Sequence, residues 1–344
     1  MGFFFGLCHL PSAICHSSFR IPTSVSSLTN LPSNETLPPV PPTRTDFFIL
    51  AGPTAVGKSD IAAAVAERCG GEIVGADAFQ IYRGLDILTA KPSCELRARV
   101  PHHLVGEIPL TQSFDVAQYL TLARERITEI RNRRRIPIVV GGTGMYLRAL
   151  MRGLADLPGA DATIRAELET RPLADLQRQL AELDPEGARH IDLQNPRRVI
   201  RALEVCLLTG RPFSSFREQW SAEDSAPRGA VLTLDRETLN RRIEHRTATM
   251  FAAGVVEEVA HCGELGPTAG QVLGLQEIRA HLGGEMSRAE CIAAIAQATR
   301  QYAKRQMTWF RREPALEMID ISSAAAEELI DRIAAQAAKI VRTP

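Results

Sequence analysis

Gly52, Pro53, Thr54, Ala55, Val56, Gly57, Lys58 and Ser59 fit G-x-x-x-x-G-K-[ST] at every fixed position. An apolar run, Phe47 to Ala51, precedes them, and a helix-like run, Asp60 to Arg68, follows. That strand–loop–helix context gives the motif structural meaning. The glycines let successive backbone N–H groups curl around a phosphate, and the helix N-terminus adds partial positive charge. Lys58 is placed to bring a point charge to terminal phosphate oxygens, and the Ser59 hydroxyl to ligate Mg²⁺. The chain is therefore expected to bind a diphosphate or triphosphate.

The motif also constrains the fold. From Phe47 onward, short apolar runs alternate with helical stretches, the pattern of βα units on a parallel sheet. Residues 72–76 read as a second strand ending at Asp77, and residues 136–140 as a buried strand running into Gly141-Gly142-Thr143-Gly144. Pro137 is compatible with the first residues of a strand. Ser113 is expected to cap a helix through about Arg133, with Val116, Leu120, Ala123 and Ile127 at helical spacing. After about Gly153 the chain becomes helical and Arg-rich, until Ala230 to Leu234 returns as a strand. The expected architecture is an α/β fold: a P-loop NTPase-like parallel sheet flanked by helices and interrupted by a helical insertion. The expected boundaries are an N-terminal extension over 1–45, a first core part over 46–153, an insertion over 154–227, and a second core part with C-terminal helices over 228–344.

Composition narrows the function. Lys plus Arg and Asp plus Glu are equal at 40 each, so no global field recruits nucleic acid and a basic surface must be local. No apolar run approaches the ~20 residues of a membrane span. Seven scattered cysteines without a C-x-x-C pair argue against a secreted disulfide framework and for reduced thiols in a cytosol-like compartment. His102-His103 is the only tight histidine pair, and neighbours on a strand point to opposite faces, so no Cys/His metal centre is expected. Residues 1–45 are rich in Ser, Thr and Pro, with Glu35 as their only acid. They read as disordered or as an over-called start, with an organellar transit peptide as the alternative.

Four further segments give the family. Gly75-Ala76-Asp77-Ala78-Phe79-Gln80-Ile81-Tyr82-Arg83-Gly84-Leu85-Asp86 leads to Thr89-Ala90-Lys91-Pro92. Gly141 to Leu147, Asn195 to Glu204 and Arg300 to Arg311 follow in order. From about Phe47 to about Arg312 the chain resembles the tRNA dimethylallyltransferases of bacterial type. The resemblance implies transfer of a dimethylallyl group from dimethylallyl diphosphate to N6 of an adenine next to the anticodon, with release of diphosphate. It also implies that the phosphate loop holds the donor diphosphate, with Mg²⁺ and Arg246. Asp77 matches the residue that takes the N6 proton, and Thr143 one that helps hold the reacting groups. Asp77, Ala78, Phe79, Gln80, Thr143, Arg165, Arg197, Arg198, Val199, Ile200 and Arg201 match tRNA-contacting positions.

Each assignment has a plainer rival. Asp77 could cap a helix or sit in the outer sphere of Mg²⁺, and Thr143 could be a turn hydroxyl. Arg242 and Arg246, four apart on one helical face, could form a solvated ion-paired surface. In Arg300 to Arg312, five basic residues and no acid suit a phosphate backbone, whereas Trp309 and Phe310 fit the core better than base stacking. Arg131 to Arg135 reads as a solvated helix end. Three positions depart from the family's usual residues: Ala78 for Ser, Leu88 for Gly, and Leu275 for an aromatic. A C-terminal zinc finger like that of eukaryotic relatives is not seen, which favours the bacterial type. A cytoplasmic monomer acting on the anticodon stem-loop is expected. The alternatives are a small-molecule P-loop kinase, a prenyltransferase of free adenine nucleotides, and a non-catalytic, nucleotide-dependent RNA-binding module.

Overall fold

The fold is described from a computed structural model, over residues 47–154, 156–220, 229–322 and 325–341. The extension expected over 1–45 lies outside these residues. Six strands form one sheet: β1 (Phe48–Ala51), β2 (Gly71–Ala76), β3 (His102–His103), β4 (Ile136–Gly141), β5 (Gly229–Thr233) and β6 (Leu316–Asp320). Their spatial order is β3-β2-β4-β1-β5-β6 and every pairing is parallel. β1 and β2 are buried along their whole length, as strands covered on both faces must be, and β2 carries one buried charge, Glu72. Pro137 is the second residue of β4, and β1 pairs with β4 only from Ile138 onward.

The helices follow in chain order. First come α1 (Lys58–Cys69), α2 (Cys94–Arg99), α3 (Val116–Asn132) and α4 (Gly144–Arg152). Then come α5 (Ala162–Glu169), α6 (Leu173–Leu183), α7 (Pro185–His190) and α8 (Pro196–Thr209), and a 3₁₀ segment, Phe213–Trp220. The last are α9 (Arg236–Ala252), α10 (Val255–Ala260), α11 (Leu275–Leu282), α12 (Arg288–Phe310) and α13 (Ala326–Val341). Two apolar clusters cover the two faces of the sheet, one built with α3 and α4, the other with α1 and α13. Helices α5, α6 and α8 have a core of their own, with Leu168, Leu180, Val199 and Leu203 at its centre.

Three local expectations are corrected. The cap of α3 is Asp115, not Ser113: its carboxylate accepts from Ala117 and Gln118 N–H, and the Gln118 side chain returns to the Asp115 N–H. This reciprocal box satisfies more orphan donors than a lone serine could. The basic run after α3 is not simply solvated. Arg133 binds the buried Glu72 carboxylate at 2.7 Å, and His103 reaches the same carboxylate at 2.8 Å, so the run ties α3 to β2 and β3. On α12, Arg300 is paired with Glu244 at 3.0 Å, leaving a narrower basic face than the sequence suggests. Phe310 is buried in the core as expected, and Trp309 packs over Gly144, where a Cβ would meet its ring at 2.4 Å.

Candidate active site

Three loops leave the carboxyl ends of β2, β4 and β1, which are adjacent in the sheet. Ligands of open α/β sheets bind at this edge. The phosphate loop follows β1 with Gly52, Ala55 and Gly57 at φ 153°, 66° and 98°. A Cβ at Gly52 would approach the Leu232 carbonyl to 2.7 Å, so the loop needs glycine for close packing as well as for conformation. Gly57 precedes α1 and offers no capping side chain, so the first amides of α1 remain available to an anion.

The Lys58 ammonium donates to the Gly52 and Pro53 carbonyls at 2.9 and 2.8 Å. Part of the residue stays exposed, but the charged group is surrounded by protein. Burial, and to a lesser degree nearby Arg246, lower its pKa from 10.5 to about 8, against the opposing pull of Asp77. Arg246 donates to the Thr54 hydroxyl at 2.7 Å, and Arg242 to the Val56 carbonyl at 3.0 Å. The two arginines four apart on α9 are therefore both turned onto the phosphate loop rather than into a solvated ion-pair network. Burial lowers the Arg246 pKa too, against the opposing pull of Asp77.

Asp77 stands immediately after β2. Its Oδ1 accepts from the Phe79 and Gln80 N–H groups at 2.9 and 3.2 Å. Two amides thus orient the carboxylate through one oxygen. Thr143, after β4, accepts the Ala78 N–H at 3.0 Å. This is the turn-hydroxyl bond anticipated as its plainer role, yet it also joins the Asp77 loop to the Gly-rich turn. Gln80 donates to the Thr89 and Ala90 carbonyls, fixing the next loop against the first.

Gln306 was not singled out by the sequence reading. Its Oε1 accepts the Thr54 N–H and its Nε2 donates to the Gly142 carbonyl, both at 2.9 Å. One buried amide therefore joins the phosphate loop to the β4 turn from α12. A polar residue between Ala303 and Phe310, both buried on the same helix, was the available signal. Tyr302 lies one turn earlier, its hydroxyl near Thr143 and Gln306. Burial, with the negative charge of Asp77, pushes its pKa up.

Two cavities meet here. One, about 380 Å³, is lined by the phosphate loop with Lys58, Ser59, Asp60, Arg242 and Arg246. The other, about 260 Å³, is the more apolar of the two, with Phe79, Leu88, Met250, Leu273 and Ile295 lining it beside Thr247, Gln271, Thr299 and Tyr302. Thr54, Asp77, Thr89 and Arg246 line both. Arg197 and Arg305 also border the apolar one. Oxygen donors Ser59, Asp60 and Asp77 share the phosphate-loop cavity, the hard ligands a Mg²⁺ ion takes alongside phosphate oxygens. No group of three or more His, Cys, Asp and Glu able to hold a metal unaided occurs among the described residues.

The remaining expected residues divide. Arg197 and Arg198 are exposed at the start of α8. Arg165 and Arg201 instead converge on Glu204, which is fully buried, at 2.9 and 2.5 Å, and the Asp161 N–H completes its coordination. Val199 is 0% and Ile200 8% exposed, so their side chains pack inside the helical region. Ala78 and Phe79 sit in the Asp77 loop, half-buried.

A family model described as IPP transferase matches residues 80–313. The chain belongs to this family. It is 48% identical over 281 residues to the tRNA dimethylallyltransferase of Geobacter metallireducens, covering 78% of this chain and 91% of that one. With the enzyme of the same name from Geobacter sulfurreducens it shares 44% over 288 residues, 80% of this chain and 92% of the other. Among solved structures it is similar to the tRNA isopentenylpyrophosphate transferase of Bacillus halodurans, with TM-score 0.62, 33% identity, and coverage of 86% and 97%. A eukaryotic dimethylallyltransferase acting on tRNA superposes with TM-score 0.69 at 27% identity, covering 84% of this chain and 76% of that one. No helix among the described residues is long and apolar enough to cross a membrane.

Proposed function

We propose that this chain transfers a dimethylallyl group from dimethylallyl diphosphate to N6 of an adenine beside the anticodon of tRNA, releasing diphosphate. The observation that carries this reading is the junction of the two cavities. A donor with an anionic head and a branched apolar tail fits across it, head on the phosphate loop and tail against Phe79, Met250 and Ile295.

The reaction breaks the bond between donor C1 and the diphosphate oxygen and forms a bond from adenine N6 to C1. Charge grows on the departing diphosphate. Loop amides, Arg246 and Lys58, turned from the Gly52 and Pro53 carbonyls onto phosphate, stabilise it before solvent has to reorganise. Mg²⁺, when bound, would be held by Ser59 and donor phosphate oxygens and would neutralise part of that charge. The acceptor amine is a weak nucleophile because its lone pair is delocalised into the purine. Asp77, fixed through Oδ1, accepts the N6 proton on Oδ2 as the C–N bond develops. The adenine must leave its stack to reach Asp77, which is cheapest in a loop such as that of the anticodon. Arg197 and Arg198 take RNA phosphates, while Arg165 and Arg201 hold the shape of the helical region through Glu204. We further assign the enzyme to the cytoplasm, working as a monomer.

The test is Asp77→Asn in single turnover with dimethylallyl diphosphate and an anticodon stem-loop. The amide keeps its shape but cannot take a proton, so the rate should fall by about 10²–10⁴ with both substrates still bound. An unchanged single-turnover rate would defeat the assignment.

A further inference from the structure

We infer that Glu258 is a positioning residue for the transfer, holding Asp77 in place through a loop to which neither residue belongs. This rests on the role of Asp77 proposed above. The loop, residues 85–90, is bounded by two left-handed residues that are not glycine: Leu85 has φ 53° and Ala90 has φ 50°. Residues with a Cβ adopt this conformation rarely, bulky ones most rarely. Such a backbone persists only where its surroundings over-determine it. Part of the hold is internal, since the Thr89, Ala90 and Lys91 N–H groups bond to the Leu85, Ile87 and Asp86 carbonyls. The rest comes from outside. The Ile87 and Leu88 N–H groups donate to the two oxygens of Glu258 on α10, each at 2.8 Å, so one carboxylate clamps both amides. Charge on the acceptor makes these bonds stronger than neutral ones. Leu85 and Leu88 share an apolar cluster with Val255 and Val259 of α10, which seats the clamp against the loop.

The loop's other contacts lead to the reacting groups. The Thr89 and Ala90 carbonyls accept from Gln80 Nε2 at 3.1 and 2.9 Å. The Gln80 N–H is in turn one of the two that hold Asp77 Oδ1, at 3.2 Å. A continuous path therefore runs from Glu258 through a strained turn to the carboxylate. Glu258 lines neither cavity, whereas Thr89 lines both beside Asp77. The influence of Glu258 on the reaction thus passes through the loop. Losing one of its oxygens leaves an amide N–H without its acceptor and lets the left-handed pair relax. The carbonyls that anchor Gln80 then shift, and Asp77 shifts with them. The bonds made and broken stay as given above, and only the placement of the base changes.

The experiment measures single-turnover transfer from dimethylallyl diphosphate to an anticodon stem-loop, with saturating full-length enzyme. The competent fraction is read separately, as the stoichiometry of donor binding by calorimetry. Glu258→Gln puts an NH₂ group where one oxygen accepted an N–H, so donor meets donor at nearly constant volume. The rate constant should fall by about 10–100-fold, because a misplacement of about 1 Å can cost that much even when the mutated residue is far from the chemistry. The stoichiometry should stay near that of wild type. A residue that served only folding would lower the stoichiometry and leave the saturated rate constant unchanged. The deciding measurement repeats the substitution in Asp77→Asn. There Glu258→Gln should add little further loss, since groups acting along one path are not additive. A wild-type rate constant in Glu258→Gln, or the same factor lost with and without Asp77, overturns the inference while leaving the proposed function intact. Should Glu258→Gln yield no folded enzyme, Gln80→Leu cuts the next link, and an unchanged rate constant there overturns it instead. Asp77→Asn reacting at the wild-type rate overturns the role of the base, and the inference with it.

Discussion

We predict that donor binding is linked to protonation of Lys58, with a sign opposite to that of the enzyme's own stability. Burial holds the free enzyme's Lys58 near pKa 8 against an ordinary 10.5. Between those values the unfolded chain binds more protons than the folded one, so this group makes the free enzyme more stable as pH rises from about 8 toward 10.5. At about 1.4 kcal/mol per tenfold difference in proton affinity, keeping the buried ammonium charged at neutral pH costs about 3 kcal/mol. A bound diphosphate reverses the balance by supplying the missing counter-charge, so its binding above pH 8 must draw a proton onto Lys58. The donor Kd should be flat up to about pH 8 and then weaken, by about tenfold at pH 9, with uptake of about 0.9 proton there. The donor cannot mimic this, because a phosphate ester loses its second proton at about pH 6. Arg242 and Arg246 cannot either, since guanidinium stays charged. Calorimetric titration at pH 7 to 9.5, in two buffers of different ionisation heat, measures both quantities. A Kd independent of pH over that range, or an identical step in Lys58→Ala, would refute the reasoning.

Gln306→Ala should lower kcat by about 10–100-fold with a smaller change in donor Kd, because it uncouples the phosphate loop from the Gly142 turn without removing a ligand contact; equal losses in kcat and donor affinity would argue against a positioning role. Glu204→Ala should destabilise the helical region by about 2–3 kcal/mol, the scale of lost hydrogen bonds to charged groups. Arg165 and Arg201 are partly exposed and can regain water, which keeps the loss below that of a wholly buried pair; a denaturation midpoint like that of wild type would count against the buried network. Arg197→Ala with Arg198→Ala should weaken tRNA binding and flatten the log–log salt slope by somewhat under one unit per lost phosphate contact. Donor binding should be unaffected, and an unchanged tRNA Kd across a salt series would exclude these arginines from the interface.

What was legible in the sequence is what backbone chemistry dictates locally. The phosphate loop must combine glycines, Lys58 and a helix start, and β1, β2 and β4 are short, mainly apolar runs, so their positions are legible to within a residue. Asp77 directly follows β2 and Thr143 lies two residues beyond β4, but the roles expected of them come from the family resemblance rather than from those positions. The two-residue β3 carries no periodicity to detect. Edge strand β6 buries only Leu316 and Ile319 and was passed over between helices. Asp115 outcompetes Ser113 as the α3 cap because only Asp115 has a glutamine three residues on to complete the box.

Side-chain roles that depend on packing between distant elements were not legible. Arg201 shares one neighbourhood in sequence with Arg197 and Arg198, yet the fold turns it, together with Arg165 of α5, onto Glu204 and leaves Arg197 and Arg198 at the surface. Glu204 decides the difference. A carboxylate wholly buried in the helical core needs cationic partners, and the arginines nearest it on α5 and α8 are committed to that need before any RNA arrives. The same logic applies at the donor site with the sign reversed. Lys58 and Arg246 are enclosed beside the phosphate loop, and of the carboxylates only Asp77 perceptibly offsets their charge. In the helical region buried charge is balanced within the protein, and the result is a fixed shape. At the loop it is left in excess, and on the donor placement proposed above the diphosphate completes it.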